Sequence, residues 1–297
     1  IDSPIYCDPC YFINMCLTNL GSGVDNRLVM MDRRGTTTAF ASRLVYTDNG
    51  STIANCEASP TLFSGASVPF MGMFKTKLYV SEGVNAVVSY DGTTVSSIAG
   101  FPQYSKCAVQ QNYMFAAKAR TIYWSTINDC ETTWPTNNFH TINSEAGDRI
   151  IAIKSIGNGL LIFMQHSMYL LVGDVFDPIE AQYYLQRIDV PPNFNFLFGQ
   201  TIVTHQGVLK FLTVDGFYVY TGGTQIIKIS DPIQQDIDDS LSTGVYDTTS
   251  DLELPDTYPK AFIWKNSMYC GIMTQETVRT TLVQDERGKW WYFEDGW

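Results

Sequence analysis

The sequence predicts an all-β protein: a β-propeller of about six four-stranded blades, with a short helix near residues 231-241. Three observations carry that prediction. The composition is 45% apolar and 13% aromatic but only 16% charged, with 22 glycines and 17 residues each of tyrosine and phenylalanine. This balance suits short strands and tight turns, whereas long helices draw on Ala, Glu and Lys. Short apolar or alternating runs bounded by Gly, Asn and Asp recur along the chain, and a 3.6-residue period is scarce. Finally, a unit of strand, small turn, apolar strand, polar break and further strand repeats.

Taken in order, Ala39 to Tyr46 is an early apolar strand, and Lys77 to Ile98 forms the next unit. Within that unit Asp91-Gly92 predicts a tight hairpin between Ala86–Tyr90 and Thr93–Ile98, because Asp-Gly readily adopts the positive φ angles of such turns. The repeat continues through Cys107–Ser125, Ile150–Val172 and Thr201–Tyr220, and again from Ala261 onward. Gly157-Asn158-Gly159 reads as a hairpin turn, Asp215-Gly216 as a hairpin between Val208–Thr213 and Phe217–Tyr220, and Gly222-Gly223 as the turn into Thr224–Ile229. Lys265-Asn266 joins Ala261–Trp264 to Met268–Ile272, and Glu286-Arg287-Gly288 leads into Lys289–Phe293. Aligning the second strands at Leu78, Tyr113, Leu160, Val208 and Met268 gives steps of 35, 47, 48 and 60 residues. A period near 40 to 50 with about four strands per unit is what a propeller blade requires, since each blade buries its faces on its neighbours. A β-sandwich, or a pair of them, is the alternative that the turn spacing also allows. The expected organisation is a single propeller domain over residues 1-297, with an acidic insertion at 229-259. The chain starts on Ile1 and stops at Trp297 just after a strand, so part of a longer chain is expected to be missing.

Ser230-Asp231-Pro232 followed by Ile233, Ile237 and Leu241 predicts the helix. Ser230 or Asp231 is its N-cap, Pro232 lies in its first turn, and apolar residues recur at i, i+4 and i+8. The net charge is −11, from 30 acids and 19 bases, which argues against a protein that grips nucleic-acid phosphates. That charge is concentrated. Asp231, Asp236, Asp238, Asp239, Asp247, Asp251, Glu253 and Asp256 fall between Ile229 and Pro259 with no Lys or Arg, which leaves 22 acids against 19 bases elsewhere. These eight residues are the candidate acidic interface or channel lining.

Other chemistry is weakly signalled. Seven cysteines cannot all pair in disulfides, and a reducing compartment is the simpler reading. Cys7 and Cys10 have the spacing of half a zinc site with Cys16 as a third ligand, but no second pair follows, so buried apolar side chains are expected and no metal or cofactor is assigned. Asp236-Ile237-Asp238-Asp239 lacks the Gly and distal Glu of a calcium loop. Carboxylate pairs of glycosidase type could be drawn from Glu145, Asp148, Asp174, Asp177 and Glu180, yet sequence spacing says nothing of their separation. No nucleophile elbow, P-loop or dinucleotide fingerprint is present. His166 and His205 stand at strand breaks, where structural hydrogen bonds are the common use. Trp290-Trp291-Tyr292-Phe293 could stack sugars, but successive strand residues face opposite sides and packing between blades accounts for the cluster. The first twenty residues lack a basic start and an apolar run, so no signal peptide is expected. The uncharged run Ser155–Gly173 is broken by Gly157-Asn158-Gly159 and Gln165-His166-Ser167, so no membrane span is expected.

Several stretches resemble the β-propeller proteins of short-tailed bacteriophage tails. Arg33-Arg34-Gly35-Thr36 after Asn14 resembles their opening strand and Arg-x-Gly turn. Thr121-Ile122-Tyr123-Trp124-Ser125 with Asn128-Asp129 and Thr133-Trp134 is similar to a blade end of that family. Gly147-Asp148-Arg149-Ile150, Gly159 to Phe163, Val214 to Tyr218 and Ile229 to Ile233 follow in the family's order, so the likeness runs from about Asn14 to Ile237. The cysteine-bearing start and the acidic stretch depart from it. The resemblance implies a non-enzymatic virion protein, a hub, plug or nozzle below the portal and adaptor. It implies a homo-oligomeric ring, commonly a hexamer, through which DNA passes without specific binding, assembled in the bacterial host cytoplasm. The alternative function is a carbohydrate-binding or carbohydrate-cleaving propeller used in receptor recognition.

Overall fold

The computed structural model describes residues 11–20, 24–36, 39–48, 54–56, 63, 69–132, 134–145, 147–157, 159–175, 182–196, 198–205, 207–242, 259–274 and 278–294. These form six four-stranded antiparallel sheets, each built from four strands consecutive in the chain. Blade 1 holds β1 (Tyr11–Leu20), β2 (Val24–Thr36), β3 (Ala39–Thr47) and β4 (Ala54–Asn55). Blade 2 holds β5 (Phe70–Phe74), β6 (Lys77–Ser81), β7 (Val87–Tyr90) and β8 (Val95–Ile98). Blade 3 holds β9 (Lys106–Gln110), β10 (Tyr113–Lys118), β11 (Thr121–Trp124) and β12 (Phe139–Thr141). Blade 4 holds β13 (Ile150–Ile156), β14 (Gly159–Met164), β15 (Met168–Asp174) and β16 (Gln182–Ile188). Blade 5 holds β17 (Val203–His205), β18 (Val208–Thr213), β19 (Gly216–Tyr220) and β20 (Ile227–Lys228). Blade 6 holds β21 (Lys260–Trp264), β22 (Ser267–Thr274), β23 (Val278–Gln284) and β24 (Trp290–Glu294). The fold class is thus a β-propeller of six blades, as the repeat predicts, rather than a sandwich. The residues group into two compact units, one with blades 1, 2 and most of 3, the other with blades 4 to 6.

The aligned residues Leu78, Tyr113, Leu160, Val208 and Met268 each stand first or second in the second strand of a blade. The reason is a shared two-residue turn before that strand. Gln111-Asn112 and Lys265-Asn266 both take positive φ, and Phe74 pairs with Lys77 across Lys75 at φ 54°. Such turns match the right-handed twist of the strands they join. Ala39–Tyr46 falls within β3, the third strand of blade 1.

Three turn expectations shift. Thr213 pairs with Gly216, so Val214-Asp215 forms the turn and Gly216, at φ 127°, already belongs to β19. Tyr90 pairs with Val95, which makes the Asp91-Gly92 turn a four-residue loop, held by the Asp91 carboxylate accepting the N–H groups of Thr93 and Thr94. Arg33 to Thr36 is strand, paired with Ser42 to Ala39, so the Arg-x-Gly segment does not turn. The strand foreseen at Thr224–Ile229 shrinks to Ile227–Lys228, because Thr224 and Gln225 pair with Asp189 instead.

Middle strands are buried on both faces. In the first unit Leu78 and Val80 of β6 pack with Val29, Met31 and Leu44 of blade 1, while Tyr79 between them packs with Met114, Ala116 and Trp134 of blade 3. In the second unit Leu209 and Phe211 of β18 pack with Leu161 and Phe163 of blade 4, and Leu212 packs with Met268, Cys270 and Leu282 of blade 6. The period of two thus sorts alternate side chains onto neighbouring blades. After blade 5 a 3-10 turn, Asp231–Ile233, runs into helix α1, Gln234–Ser242, which buries Ile237 and Leu241 against that same blade 5–6 core. Pro232 lies in the first turn as expected, but Ser230 makes no side-chain cap. Its hydroxyl instead accepts the Phe217 N–H and donates to Gln234 Oε1.

That arrangement makes Gly216 irreplaceable, since a Cβ there would collide with the Ser230 hydroxyl and Gln234, and φ 127° strains any L side chain. Gly216→Ala is expected to lower stability by about 1–3 kcal/mol. Gly271→Ala on β22, where a Cβ meets open space, is expected to stay within about 0.5 kcal/mol. Urea titrations of the two variants followed by tryptophan fluorescence check the contrast.

Candidate functional site

The acidic stretch is only partly within the described residues. Asp231, Asp236 and Asp238 are exposed on the 3-10 turn and α1, and Asp239 stands on α1 beside them. The helix buries Ile237 and Leu241, and Asp236 and Asp238 flank Ile237 on its exposed side. Asp238 accepts a hydrogen bond from Gln234 Nε2. Asp247, Asp251, Glu253 and Asp256 lie outside the described residues.

The most developed polar chemistry lies instead at the joints between blades. Between blades 1 and 2, Arg27 on β2 is buried and engages every face of its guanidinium. Nε and Nη2 donate to both Asp48 carboxylate oxygens at 2.8 and 3.0 Å. Nη1 donates to the Tyr90 hydroxyl at 2.6 Å and the Gly92 carbonyl at 2.7 Å, and the Tyr46 ring lies 3.7 Å from the guanidinium carbon. The Arg27 guanidinium holds the Asp48 carboxyl below the usual range.

Between blades 2 and 3, Glu131 Oε1 accepts from Lys77 Nζ and the Tyr79 hydroxyl, both at 2.7 Å. Burial pushes the Glu131 carboxyl up, but these two donors outweigh it and leave it below the ordinary value. Burial and the adjacent Glu131 keep the Tyr79 phenol protonated. These groups border a shallow open cleft of roughly 170 Å³ between the Phe74–Lys77 hairpin and Asn128–Glu131. Its ionic groups are largely committed: Glu131 to Lys77 and Tyr79, and Asp129 to the Glu131 and Thr132 N–H groups.

Between blades 5 and 6, Lys210 on β18 is 7% exposed and donates to Gln284 Oε1 at 2.7 Å and His205 Nδ1 at 2.8 Å. His205 Nε2 lies 2.9 Å from the Asn266 carbonyl. Burial pushes the Lys210 ammonium below the ordinary lysine range.

The remaining candidates have structural uses. Asp148 is buried, taking the His166 N–H at 3.0 Å and the Ser167 hydroxyl at 2.5 Å, and His166 Nδ1 approaches the Phe194 carbonyl. Ser167, His166 and Asp148 therefore adjoin, but the serine donates to the aspartate directly, so no relay of nucleophilic type is formed. Glu145 is exposed, Asp174 stands on β15, and Asp177 and Glu180 lie outside the described residues. Cys56, Cys107, Cys130 and Cys270 are buried free thiols, and burial pushes Cys130 up to about 12. Cys7 and Cys10 lie outside the described residues, and among the described residues no three metal-ligating side chains converge. In the terminal aromatic cluster, Trp290 packs on Phe217 and donates to the Ile229 carbonyl, but Trp291 and Tyr292 are exposed. Packing between blades therefore accounts for Trp290 alone of these three. No described helix is long and apolar enough to cross a membrane.

No protein-family model matches the chain, and no curated protein is similar to it in sequence. Among solved structures it is similar to PorZ, a surface component of the type-IX secretion system of Porphyromonas gingivalis, at 10% identity and a TM-score of 0.48 over 89% of this chain and 32% of that one. It is similar to an acylaminoacyl peptidase from Pyrococcus horikoshii at 11% identity and a TM-score of 0.48, over 91% and 45% of the two chains. Apo AztD from Citrobacter koseri gives 9% identity and a TM-score of 0.43, over 95% and 85%. The chain spans about a third of the length of PorZ.

The first unit's pins predict its acid response. Asp48 and Glu131 are held below their unfolded values, so their contribution is complete above about pH 4.5 and is lost as pH falls through the lowered folded values. Hydrogen exchange in β2, β6 and β7 should therefore be unchanged from pH 7 to 5, once corrected for intrinsic rates, and should accelerate below about pH 4. Arg27→Met should remove most of the Asp48 part of that acid step.

Proposed function

We propose that this chain is a non-enzymatic structural subunit of a bacteriophage tail, a propeller that assembles into a ring, as hub, plug or nozzle, and helps close or extend the DNA exit path. The observation that carries the assembly part of the reading is the placement of exposed apolar side chains. Phe139, Tyr184, Ile227, Trp291 and Tyr292 stand on β12, β16, β20 and β24, the fourth strands of blades 3 to 6, with Phe262 and Ile263 on β21. A fourth strand has an unpaired edge, where exposed apolar groups favour association with another surface. The ordered motifs from Thr121 to Ile233 support the phage part, while the opening Arg33–Thr36 segment, strand rather than turn, does not. The near-neutral body outside 229-259 suits a subunit that buries much of its surface. Asp231, Asp236 and Asp238 form an exposed anionic flank that would repel DNA rather than hold it.

The carbohydrate reading has one observation in its favour. Trp291 is half exposed and fixed by Nε1 donating to Asp285 Oδ2, which leaves a ring face for stacking. Lys289 Nζ lies 3.9 Å from the centroid and occupies the other face. A glycan array with the wild-type chain and Trp291→Ala tests this reading, and a blank array removes it.

Native mass spectrometry of the full chain, alone and with portal and adaptor proteins, tests the main reading. A discrete ring, with six copies as the expected number, supports it. Ile227→Asp and Tyr292→Ser are expected to weaken association about tenfold each. Monomers at every concentration, with no binding to portal or adaptor, would overturn it.

A further inference from the structure

At the outer rim of the blade 2–3 joint, three aromatic rings from three separate segments stand in line. Tyr104 comes from the connector between β8 and β9, Tyr123 from β11 and Phe139 from β12. Successive ring centroids are 5.3 and 6.4 Å apart, with planes tilted by 42° and 36°. We infer that this row is a stacking platform for an uncharged saccharide chain, carried by blade 3 rather than by Trp291 of blade 6, and independent of ring assembly.

The row is held from below. Tyr104 and Tyr123 are half-buried and pack against the core that Tyr79, Met114 and Ala116 form between the two blades. The Tyr104 carbonyl accepts the Ser81 hydroxyl at 2.7 Å and the Cys107 thiol at 3.1 Å, which fixes the backbone that carries the ring. Its hydroxyl is hydrogen-bonded to Tyr123. Phe139, 48% exposed, continues the line into water. Aromatic side chains have only two torsions, and rings fixed before a ligand arrives lose little entropy when it binds.

The surroundings select the class of ligand. Residues 93–105, 122–128 and 132–140 contain no Asp, Glu, Lys or Arg, in a chain where 16% of residues are charged. Burial pushes the His140 imidazole down, which keeps it neutral at pH 7. Ser96 pairs with Ser89 and Ser89 with Tyr79, so Ser96 shares the face that Tyr79 turns to blade 3. It is exposed there, as is Gln103 beside Tyr104. Nucleic acid needs cations along its phosphates, and these segments have none.

A sugar ring matches what remains. One of its faces is a layer of C–H bonds that can lie on an aromatic ring, and its hydroxyls can exchange hydrogen bonds with neutral groups such as Ser96 and Gln103. The spacing of the three centroids is close to one pyranose ring, so consecutive sugars can take consecutive aromatic rings. A proline-rich peptide also docks on aromatic rows, but it brings no rim of hydroxyls to the serine and the amide.

The test is calorimetric titration of the full chain with cellohexaose, maltohexaose and chitohexaose, with hexagalacturonate as the charged control and decaproline as the competing peptide. At least one neutral hexasaccharide is expected to bind. Phe139→Ser should weaken it about tenfold, and Phe139→Trp should keep it within about twofold of wild type or tighten it. Val84→Ser, at an exposed apolar position away from the row, should leave it within about twofold. Should Phe139→Ser not fold, Phe139→Leu keeps the apolar bulk without the ring and should show a similar loss. The site would be overturned by binding of none of the neutral hexasaccharides, by equal affinity for hexagalacturonate, by tighter binding of decaproline, or by undiminished binding in both the serine and the leucine variants. Loss in Trp291→Ala but not in Phe139→Ser would assign binding to blade 6 and also overturn it. A chain that stays monomeric yet binds through Phe139 would sink the ring and leave this site standing.

Discussion

A middle strand buried on both faces cannot be satisfied within its own sheet, and the rest of the molecule follows from that constraint. All six residues of β14 are buried, as are all five of β19. A single sheet covers neither of its faces, so such strands need a blade on each side. The cores accordingly lie between blades. Each middle strand gives one parity of residues to one cluster and the opposite parity to the next, as Leu78 and Val80 against Tyr79 show. Each fully buried Phe, such as Phe163 or Phe211, contributes about 2–3 kcal/mol by leaving water, and that gain exists only while two blades are in contact.

The same constraint explains the polar pins. A charge placed mid-strand on a two-faced sheet has little access to water, so it draws hydrogen-bond partners both from its own blade, Asp48 for Arg27 and His205 for Lys210, and from the neighbouring one. Arg27 and Lys210 both stand on second strands and both reach across a joint, to Tyr90 and to Gln284. Apolar packing fixes that two blades adhere, but it tolerates sliding. A guanidinium held by a carboxylate, a hydroxyl and a carbonyl fixes where they adhere.

This division also marks what the sequence reveals. Runs such as Leu160 to Phe163 are visible because burial on both faces abolishes the alternation of a one-faced strand, and their recurrence gives the blade count. The helix is visible because Pro232, Ile237 and Leu241 are local signals. Turn chemistry is legible to within a residue, and it slips where side chains compete, as when the Asp91 carboxylate widens its own loop or Thr224 and Gln225 leave their strand for Asp189. The pins are not legible. Lys210 is conspicuous as a lone charge in Val208 to Thr213, but Gln284 is 74 positions away, and Arg27 is 63 positions from Tyr90. No local rule selects those partners. The acidic stretch is legible as a concentration of charge, but composition does not say what that charge faces.

The fourth strands separate what folding requires from what it does not. Burial between blades is strongest at the second and third strands and gives out at the fourth. β4 and β20 are only two residues long and β12 only three, which limits the unpaired edge they offer. β16 and β24 are longer, and it is there that Tyr184, Trp291 and Tyr292 are left 57%, 49% and 63% exposed. These side chains add little to the cores that hold the blades together, so polar replacements at the same positions would leave the fold intact and the surface less adhesive. Large apolar groups on the strands least needed for folding are therefore the surface that the proposed association would bury.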